Sequence, residues 1–457
     1  MTDASLVDLL ACPRCDRHPL ASGEGGWRCP ACKTGFGALR GLPWLFAEPA
    51  AARGEWRNRL HLELSRLARD AQSLREELAA GTLRPLTRQR LEKLLTATEA
   101  QRRALVELLA PLDVTPDDAV LESHLALRTR LPLDQGLNTY YANVHRDWCW
   151  GEAENAAALA EIRAFVPQAA GDVLVPGAGA GRLAFDLHHA LGPARTVAVD
   201  FNPLLALVAA TVTRGDALEL YEFPIAPRTL EDVAVARRLA APHPARDGFH
   251  LVLADVLRPP FRPGAFDLVV TPWLIDIVTE DFPVFAARIN RLLKTGGRWV
   301  NSGSLAFDAP ERARRYGPEE VLAILEETGF GEAATSESVL PYMCSPASRH
   351  GRREQVFTFA AVKTGEAPAP SRHKALPDWL VTGKEPVPLL ADFRTQAMTT
   401  RIYAFLMSLI DGRRTIEDMA ALMEKEKLMP RADAVPAIRR FLTRMYDDSR
   451  RGTGLLP

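Results

Sequence analysis

One stretch limits the fold of this chain more than any other: residues 171–200, GDVLVPGAGAGRLAFDLHHALGPARTVAVD. Asp172 to Val175 is a short, mostly apolar run, as a buried parallel strand should be. It ends in a loop that carries Gly177, Gly179 and Gly181. Leu183, Leu187 and Leu191 then repeat at helical spacing, and a second apolar run, Val197 to Val199, closes on Asp200. The pattern is strand, glycine loop, helix, strand, acid. Glycines without Cβ atoms let a ligand lie against the main chain. An acid at the tip of the second strand can accept both hydroxyls of a ribose. Two nucleoside-containing ligands fit that description. A dinucleotide site wants G-x-G-x-x-G, and its third glycine would fall at position 182, which is Arg182. The spacing here is G-x-G-x-G. No G-K-[ST] follows, so a phosphate-cradling loop of that type is excluded.

The chain has 457 residues, enough for roughly two to four domains. Lys plus Arg is 56 against 57 for Asp plus Glu, which argues against nucleic acid held by a general basic field. There is no run of the ~18 apolar residues that a membrane span needs. The stretch MTDASLVDLLACPRC lacks the basic and apolar regions of a signal peptide, so a cytoplasmic protein is expected.

Four of the six cysteines come in two pairs, Cys12-Pro-Arg-Cys15 and Cys29-Pro-Ala-Cys32. Each pair forms a tight knuckle with two thiolates, and two knuckles give a closed tetrahedral site for a structural Zn²⁺. About 46 residues hold little core, so the metal would supply folding energy. The surroundings, LLACPRC to GLPWLF at Gly41 to Phe46, resemble the small zinc-ribbon activator subunit of tRNA methyltransferases. A similar ribbon precedes the catalytic domain in some ribosomal RNA guanine methyltransferases.

Leucines at helical spacing from 55 to 110, broken at Gly81 to Pro85, predict an antiparallel helical hairpin. From 138 to 155 aromatic and charged residues alternate. After Asp200 come a helix to Thr213, a long irregular insertion, and a strand from His250 ending in Asp255, which can accept an adenine amino group. A fourth strand, Phe266 to Val270, leads into TPWLID and Asp276. A helix to Leu293 stops at Lys294-Thr-Gly-Gly297, a fifth strand covers Arg298 to Asn301, and a terminal hairpin follows. This rhythm predicts a doubly wound α/β sheet. The expected domains are a ribbon over 1–50, a helical region over 51–137, the sheet domain over 138–363, a linker over 364–388 and a helical region over 389–457. Thr415-x-x-Asp418 predicts a capping-box helix start in the last. That region resembles the small winged-helix domain of PqqD-like peptide-binding proteins.

The G-x-G-x-G spacing resembles motif I of the class I methyltransferases. RDW at Arg146 to Trp148, VLVPGAGAGRLAFD, YEFPI, FDLVVTPWLIDIV and LLKTGGRWVNSGSL, in that order, resemble the carnosine N-methyltransferase family over roughly Tyr140 to Val362. The resemblance implies a Rossmann-like fold, S-adenosylmethionine as cofactor, and methyl transfer to an imidazole nitrogen. It implies that Arg146, Gly177, Gly179, Arg182 and Asp200 line the cofactor, with Gly181 in the same loop, and that Asp276 faces the acceptor. Two departures bear on the dipeptide. Asn155 stands where the family has Arg after G-x-x-E, and Ser304-Leu-Ala-Phe-Asp308 stands where it has Tyr and His. The expected acceptor is therefore a histidine-like group in a small molecule or peptide. The ribbon also suits a nucleic-acid base methyltransferase, but TPWLID is unlike the N-P-P-Y turn that binds a flipped base. A non-catalytic scaffold, with ribbon and tail as docking modules, is a third alternative. It sits poorly with Asp200, Asp255 and Asp276 all being present.

Overall fold

The computed structural model describes residues 6–23, 25–79, 81–112, 137–138, 140–166, 171–309, 311–368 and 386–450. These divide into two compact units, one within Met1–His373 and one within Lys374–Pro457.

The first unit begins with five short strands: β1 (Ala21–Gly23), β2 (Gly26–Arg28), β3 (Gly35–Phe36), β4 (Ala38–Leu39) and β5 (Leu42–Pro43). The two Cys-x-x-Cys turns repeat each other. Asp16 N donates to Cys12 O and Cys12 N to Arg17 O, as Lys33 N does to Cys29 O and Cys29 N to Thr34 O. Asp16 and Lys33, the residues after each pair, both take a positive φ, 62° and 63°. So small a ribbon does not bury itself. Leu9, Leu10, Trp27, Phe36 and Leu45 share one buried cluster with Phe261, Phe266 and Val269 of the sheet domain. Main-chain bonds join the two, from Ala11 N to Pro260 O (2.9 Å), from Arg262 N to Leu9 O (2.9 Å) and from Leu45 N to Leu253 O (2.8 Å). The buried Arg258 guanidinium adds a bond of 2.9 Å to Pro13 O in the first knuckle.

Helices α1 (Pro49–Ala79) and α2 (Pro85–Leu108) follow. Pro85 at the start of α2 has no N–H to lose, so it opens a helix well. Leu60, Leu64 and Leu67 of α1 and Leu105 and Leu108 of α2 pack with Val208 and Leu220.

After α3 (Ala142–His145) and α4 (Glu152–Arg163) come β6 (Asp172–Pro176), α5 (Arg182–Leu191), β7 (Arg195–Asp200) and α6 (Pro203–Thr213). Next are β8 (Ala217–Glu222), β9 (Val235–Ala240), β10 (Phe249–Leu253), β11 (Phe266–Pro272) and α7 (Phe282–Leu292). The unit ends with β12 (Leu293–Gly303), α8 (Pro318–Glu327), β13 (Ala334–Tyr342) and β14 (Arg352–Val362). The sheet order is β10-β7-β6-β11-β12-β14-β13. β10, β7, β6, β11 and β12 are parallel neighbours, and β14 lies antiparallel between β12 and β13. This is the doubly wound, Rossmann-like methyltransferase sheet expected. Its chain order reverses at β6, so the carboxyl ends of β6, β7 and β11 open on one crevice. All five residues of β6 are buried.

Two local expectations fail. The segment after α6 is not irregular: β8 and β9 form a separate antiparallel hairpin in full register. The helix does end before Lys294, at Leu292, but the strand expected from Arg298 starts earlier: β12 begins at Leu293 directly after α7. The main chain there is paired: Gly296 N donates to Lys363 O and Lys363 N to Gly297 O, with Gly296 at a φ of 78°.

The second unit has α9 (Ala391–Ser408), α10 (Ile416–Lys425) and α11 (Arg431–Arg450). Thr415 caps α10 in a capping box with Asp418. Leu406, Leu409, Met419, Met423 and Ile438 form its core. Among the described residues no helix is long and apolar enough to cross a membrane.

Candidate active site and metal centre

The crevice at the switch point is a cleft walled by the glycine loop, the α3 region, and the ends of β7, β11 and β13. Gly177, Gly179 and Gly181 all have positive φ (66°, 57° and 86°). At Gly179 an added Cβ would meet nothing within 4 Å, so the space over this residue is open to a ligand. Gly181 is different. A Cβ there would sit 3.0 Å from that of Ala209, so its small size serves the packing of α5 against α6. Asp200, at the end of β7, is hydrogen-bonded directly to the loop. One carboxylate oxygen accepts from Gly179 N and the other from Asn202 N, each at 2.8 Å. Burial pushes the Asp200 carboxyl up to about 6.

Arg146 opens a single π-helical turn, Arg146–Trp150, a distortion often found at functional sites. The turn swings Arg146 into the cleft wall. Its guanidinium pairs with buried Asp147 at 2.7 Å and lies over the Tyr342 ring, 5.5 Å from the centroid. The turn is held from behind. Trp148 Nε1 donates to Ala180 O (2.8 Å), and Arg182 Nη1 donates to Asp147 O (2.8 Å) while its Nε bonds Asp186. Arg182 thus supports the wall and is not among the residues that line it. Buried Glu154 accepts from Met343 N (2.9 Å) and Cys344 N (2.8 Å), which ties the end of β13 to α4.

Trp273, Leu274, Ile277, Leu340, Pro341 and Tyr342 also line the cleft, with Leu274 packed where a Cβ of Gly177 would be. Trp273 holds a positive φ of 46°. Its N donates to Ser302 O, and Gly303 leaves the room: a Cβ at 303 would lie 3.2 Å from Trp273 Cα. Its ring is 5.9 Å from that of Tyr342.

Asp255 and Asp276 stand outside the lining. Asp255 accepts from Leu257 N (2.8 Å) just past β10. Half-buried Asp276 accepts from Ser304 Oγ (3.0 Å) and Ala306 N (2.7 Å) through Oδ2, and no described residue bonds its Oδ1. It does not cap α7, whose N-cap is Asp281. The structure therefore brings Arg146, Gly177, Gly179 and Asp200 together, with Gly181, Arg182, Asp255 and Asp276 around them. Asp147, Glu154, Trp273 and Tyr342 were not singled out from sequence. Asp147, Glu154 and Trp273 fall in motifs that could have flagged them, RDW, G-x-x-E and TPWLID; Tyr342 does not.

The Sγ atoms of Cys12, Cys15, Cys29 and Cys32 lie within 4.8 Å of one another, with Cys12–Cys32 at 3.6 Å and Cys15–Cys29 at 3.4 Å. A tetrahedral Zn²⁺ with Zn–S bonds of ~2.3 Å spaces its sulfurs at about 3.8 Å, and a disulfide needs ~2 Å. The four thiols fit the ion. Because the ribbon shares its core with the sheet domain, metal loss should be felt beyond the ribbon. Cys29→Ser is expected to abolish zinc content in metal analysis and to lower the melting temperature by on the order of 10 °C. Zinc retained in the variant would remove Cys29 from the ligand set.

Residues 139–364 match the family model described as carnosine N-methyltransferase. The match covers the sheet domain from end to end. The domain's fold is that of the class I S-adenosylmethionine-dependent methyltransferases. Solved structures with a similar fold include phosphoethanolamine N-methyltransferase 2 of Haemonchus contortus with S-adenosylmethionine (16% identity, TM-score 0.31, 46% of this chain and 53% of that one). They also include the N-methyltransferase NodS of Bradyrhizobium japonicum (15%, 0.31, 47% and 97%). A third is a complex of the Haloferax volcanii Trm112 methyltransferase activator with a methyltransferase (14%, 0.35, 50% and 97%). The chain thus spans about half the length of the first of these. No curated protein matches the chain in sequence.

Proposed function

We propose that the protein is an N-methyltransferase that moves the methyl group of S-adenosylmethionine to a ring nitrogen of a histidine-like group, in a small molecule or a peptide. The observation that carries this is the family match over the sheet domain, joined to one cleft lined by Asp200, the glycine loop, Trp273 and Tyr342. When bound, S-adenosylmethionine supplies an electrophilic methyl on a sulfonium. Asp200 would hold the ribose, Gly179 would let the ligand reach the main chain, Gly177 beside it would make room for Leu274, and Arg146 would face the ligand's carboxylate. Trp273 and Tyr342 would give an aromatic acceptor an aromatic surround. A neutral imidazole nitrogen is already nucleophilic, so the protein's task is mostly alignment. The carboxylate of Asp276 would accept the other ring N–H, fix the tautomer and stabilise the cation that forms.

Incubation with labelled cofactor and imidazole compounds, histidine peptides and a fractionated cell extract tests the proposal. Label on an imidazole nitrogen is expected. Label confined to RNA, or to no fraction, would sink it.

A pH dependence follows from the Asp200 carboxyl, raised to about 6. Above that value it is ionised and a full acceptor for ribose hydroxyls. As pH falls through about 6 it takes up a proton, and cofactor affinity should drop by roughly tenfold per unit below. Titration calorimetry across this range checks it; a flat profile would uncouple Asp200 from the ligand.

A further inference from the structure

The helical hairpin α1–α2 contributes no residue to the cleft lining, yet it touches it: Trp56 of α1 packs on the lining residue Phe201, with 5.8 Å between ring centroids, and a side chain of α2 is hydrogen-bonded to the segment that carries the wall. Gln101 of α2 is 3% exposed, on the face that also buries Ala97, Thr98 and Leu105. Its Oε1 accepts from Tyr221 N at 2.9 Å, and its Nε2 donates to the Tyr141 hydroxyl at 2.8 Å. The Tyr141 hydroxyl in turn donates to Tyr221 O at 2.9 Å. The ring of bonds is closed. Tyr221 N can only donate, which fixes the amide orientation, and the amide then fixes the hydroxyl as acceptor from Gln101 and donor to Tyr221. The Tyr141 hydroxyl serves as both acceptor and donor, and the Gln101 amide uses both its oxygen and its nitrogen, between three segments far apart in sequence. Burial holds the Tyr141 phenol well above its ordinary range, so it stays a donor.

Tyr141 sits in the middle of the cleft wall's lead-in segment. Tyr140, Asn143 and Arg146 line the cleft on either side of it. Tyr140 holds a positive φ of 62°, a strained conformation that surrounding bonds must sustain. The same segment is tied at its other end, where Asn202 Nδ2 donates to Leu137 O at 3.1 Å, two residues past Asp200. The segment that presents Tyr140, Asn143 and Arg146 is therefore held at two points, one beside Asp200 and one on the hairpin.

We infer that Gln101 and Tyr141 are positioning residues for the cofactor: through them the helical hairpin sets the wall that carries Arg146, an inference that rests on the methyltransferase reading of the cleft. They touch no reacting atom. Loosening the clasp lets the lead-in segment sample other conformations, and the cofactor must then select the competent one. The loss appears in affinity, and turnover at saturating cofactor is retained.

Tyr141→Phe keeps the ring, which packs edge-on against His145 at 5.1 Å, and removes only the hydroxyl. Gln101→Met keeps the length and removes both polar atoms. Each variant is expected to weaken S-adenosylmethionine binding about tenfold by calorimetry, with kcat within twofold of wild type. The double variant should be no weaker than about the worse single one, because both changes break one ring of bonds. Arg75→Ala, which breaks the exposed Arg75–Glu99 pair between α1 and α2, is the control and should leave affinity unchanged. Folded Tyr141→Phe and Gln101→Met proteins with wild-type affinity would overturn the inference, even if their melting temperatures fell. Independent, additive losses in the double variant would overturn the shared clasp. A wild-type protein that fails to bind S-adenosylmethionine would instead overturn the methyltransferase reading, before any variant is compared.

Discussion

Asp200→Asn is expected to weaken S-adenosylmethionine binding about 100-fold and to leave the free protein at least as stable as the wild type near neutral pH. A carboxylate has about four acceptor positions. Gly179 N and Asn202 N use two of them, which leaves two for the hydroxyls of a ribose. Asparagine keeps one oxygen and turns an NH₂ group toward a backbone N–H. Hydrogen bonds to a charged group contribute ~1.5–3 kcal/mol each. Losing most of two, on the order of 3 kcal/mol, gives the two decades. Stability moves the other way. The folded Asp200 carboxyl is raised to about 6 from its ordinary 3.8 by burial. The folded state therefore binds the proton more tightly than the unfolded state. The contribution of this group to stability is full below about 4 and is lost as pH rises through about 6. Near neutral pH the ionised, buried carboxylate costs the free protein on the order of 3 kcal/mol. Asparagine carries no such cost, although its NH₂ group offsets part of the gain. Calorimetry and melting curves on one preparation check both halves. Unchanged affinity would move the ribose away from Asp200. A large fall in melting temperature would make this residue a structural acceptor for the loop and nothing more.

How much of this was legible in sequence depends on the range of the interactions. The glycine loop, Asp200 and the paired cysteines are local patterns, each within a few dozen residues, and the structure builds them as such. The capping box at Thr415 is equally local. The β8–β9 hairpin was missed because its strands are weakly apolar and mostly half-exposed, so no clean alternation marks them. The aromatic wall was missed for another reason. Trp273 and Tyr342 meet only because β14 returns beside β12 and carries β13 with it, a pairing that no local window contains. The same holds for Glu154, whose partners lie 189 and 190 residues away. Gln101 looked like one more polar residue on a helix of leucines, and only the positions of Tyr141 and Tyr221 show what it does. The ribbon's shared core was also invisible. Cysteine spacing reveals a metal site but not that Leu10 and Phe36 pack beside Phe261 and Phe266.

Asp276→Asn is expected to lower turnover by two to three decades with cofactor affinity unchanged. The substitution separates two roles that the geometry combines. Through Oδ2, Asp276 holds Ser304 Oγ and Ala306 N, and so fixes the loop after β12. Asparagine can keep both of those bonds with its single carbonyl oxygen. What it cannot keep is the charge, or an acceptor at the Oδ1 position. Its neighbours Leu274 and Ile277 line the cleft with Trp273 and Tyr342, which is where an acceptor ring would enter. If Oδ1 takes the ring N–H, the cation that develops as the methyl arrives loses its fixed partner in the variant. Removing one such preorganised group typically costs ~3–4 kcal/mol of barrier. The contacts proposed between the cofactor and Asp200 and the glycine loop are untouched by the substitution. If the carboxylate serves the loop alone, the neutral isostere should cost at most about 1 kcal/mol of stability, as other conservative losses of a loop or cap bond do, and turnover should survive. Asp276→Ala then completes the test. It removes the loop bonds as well, so it must be slow under either role, but only under the second should it be far slower than Asp276→Asn. Two variants equally slow place the missing charge, and with it Asp276, beside the acceptor.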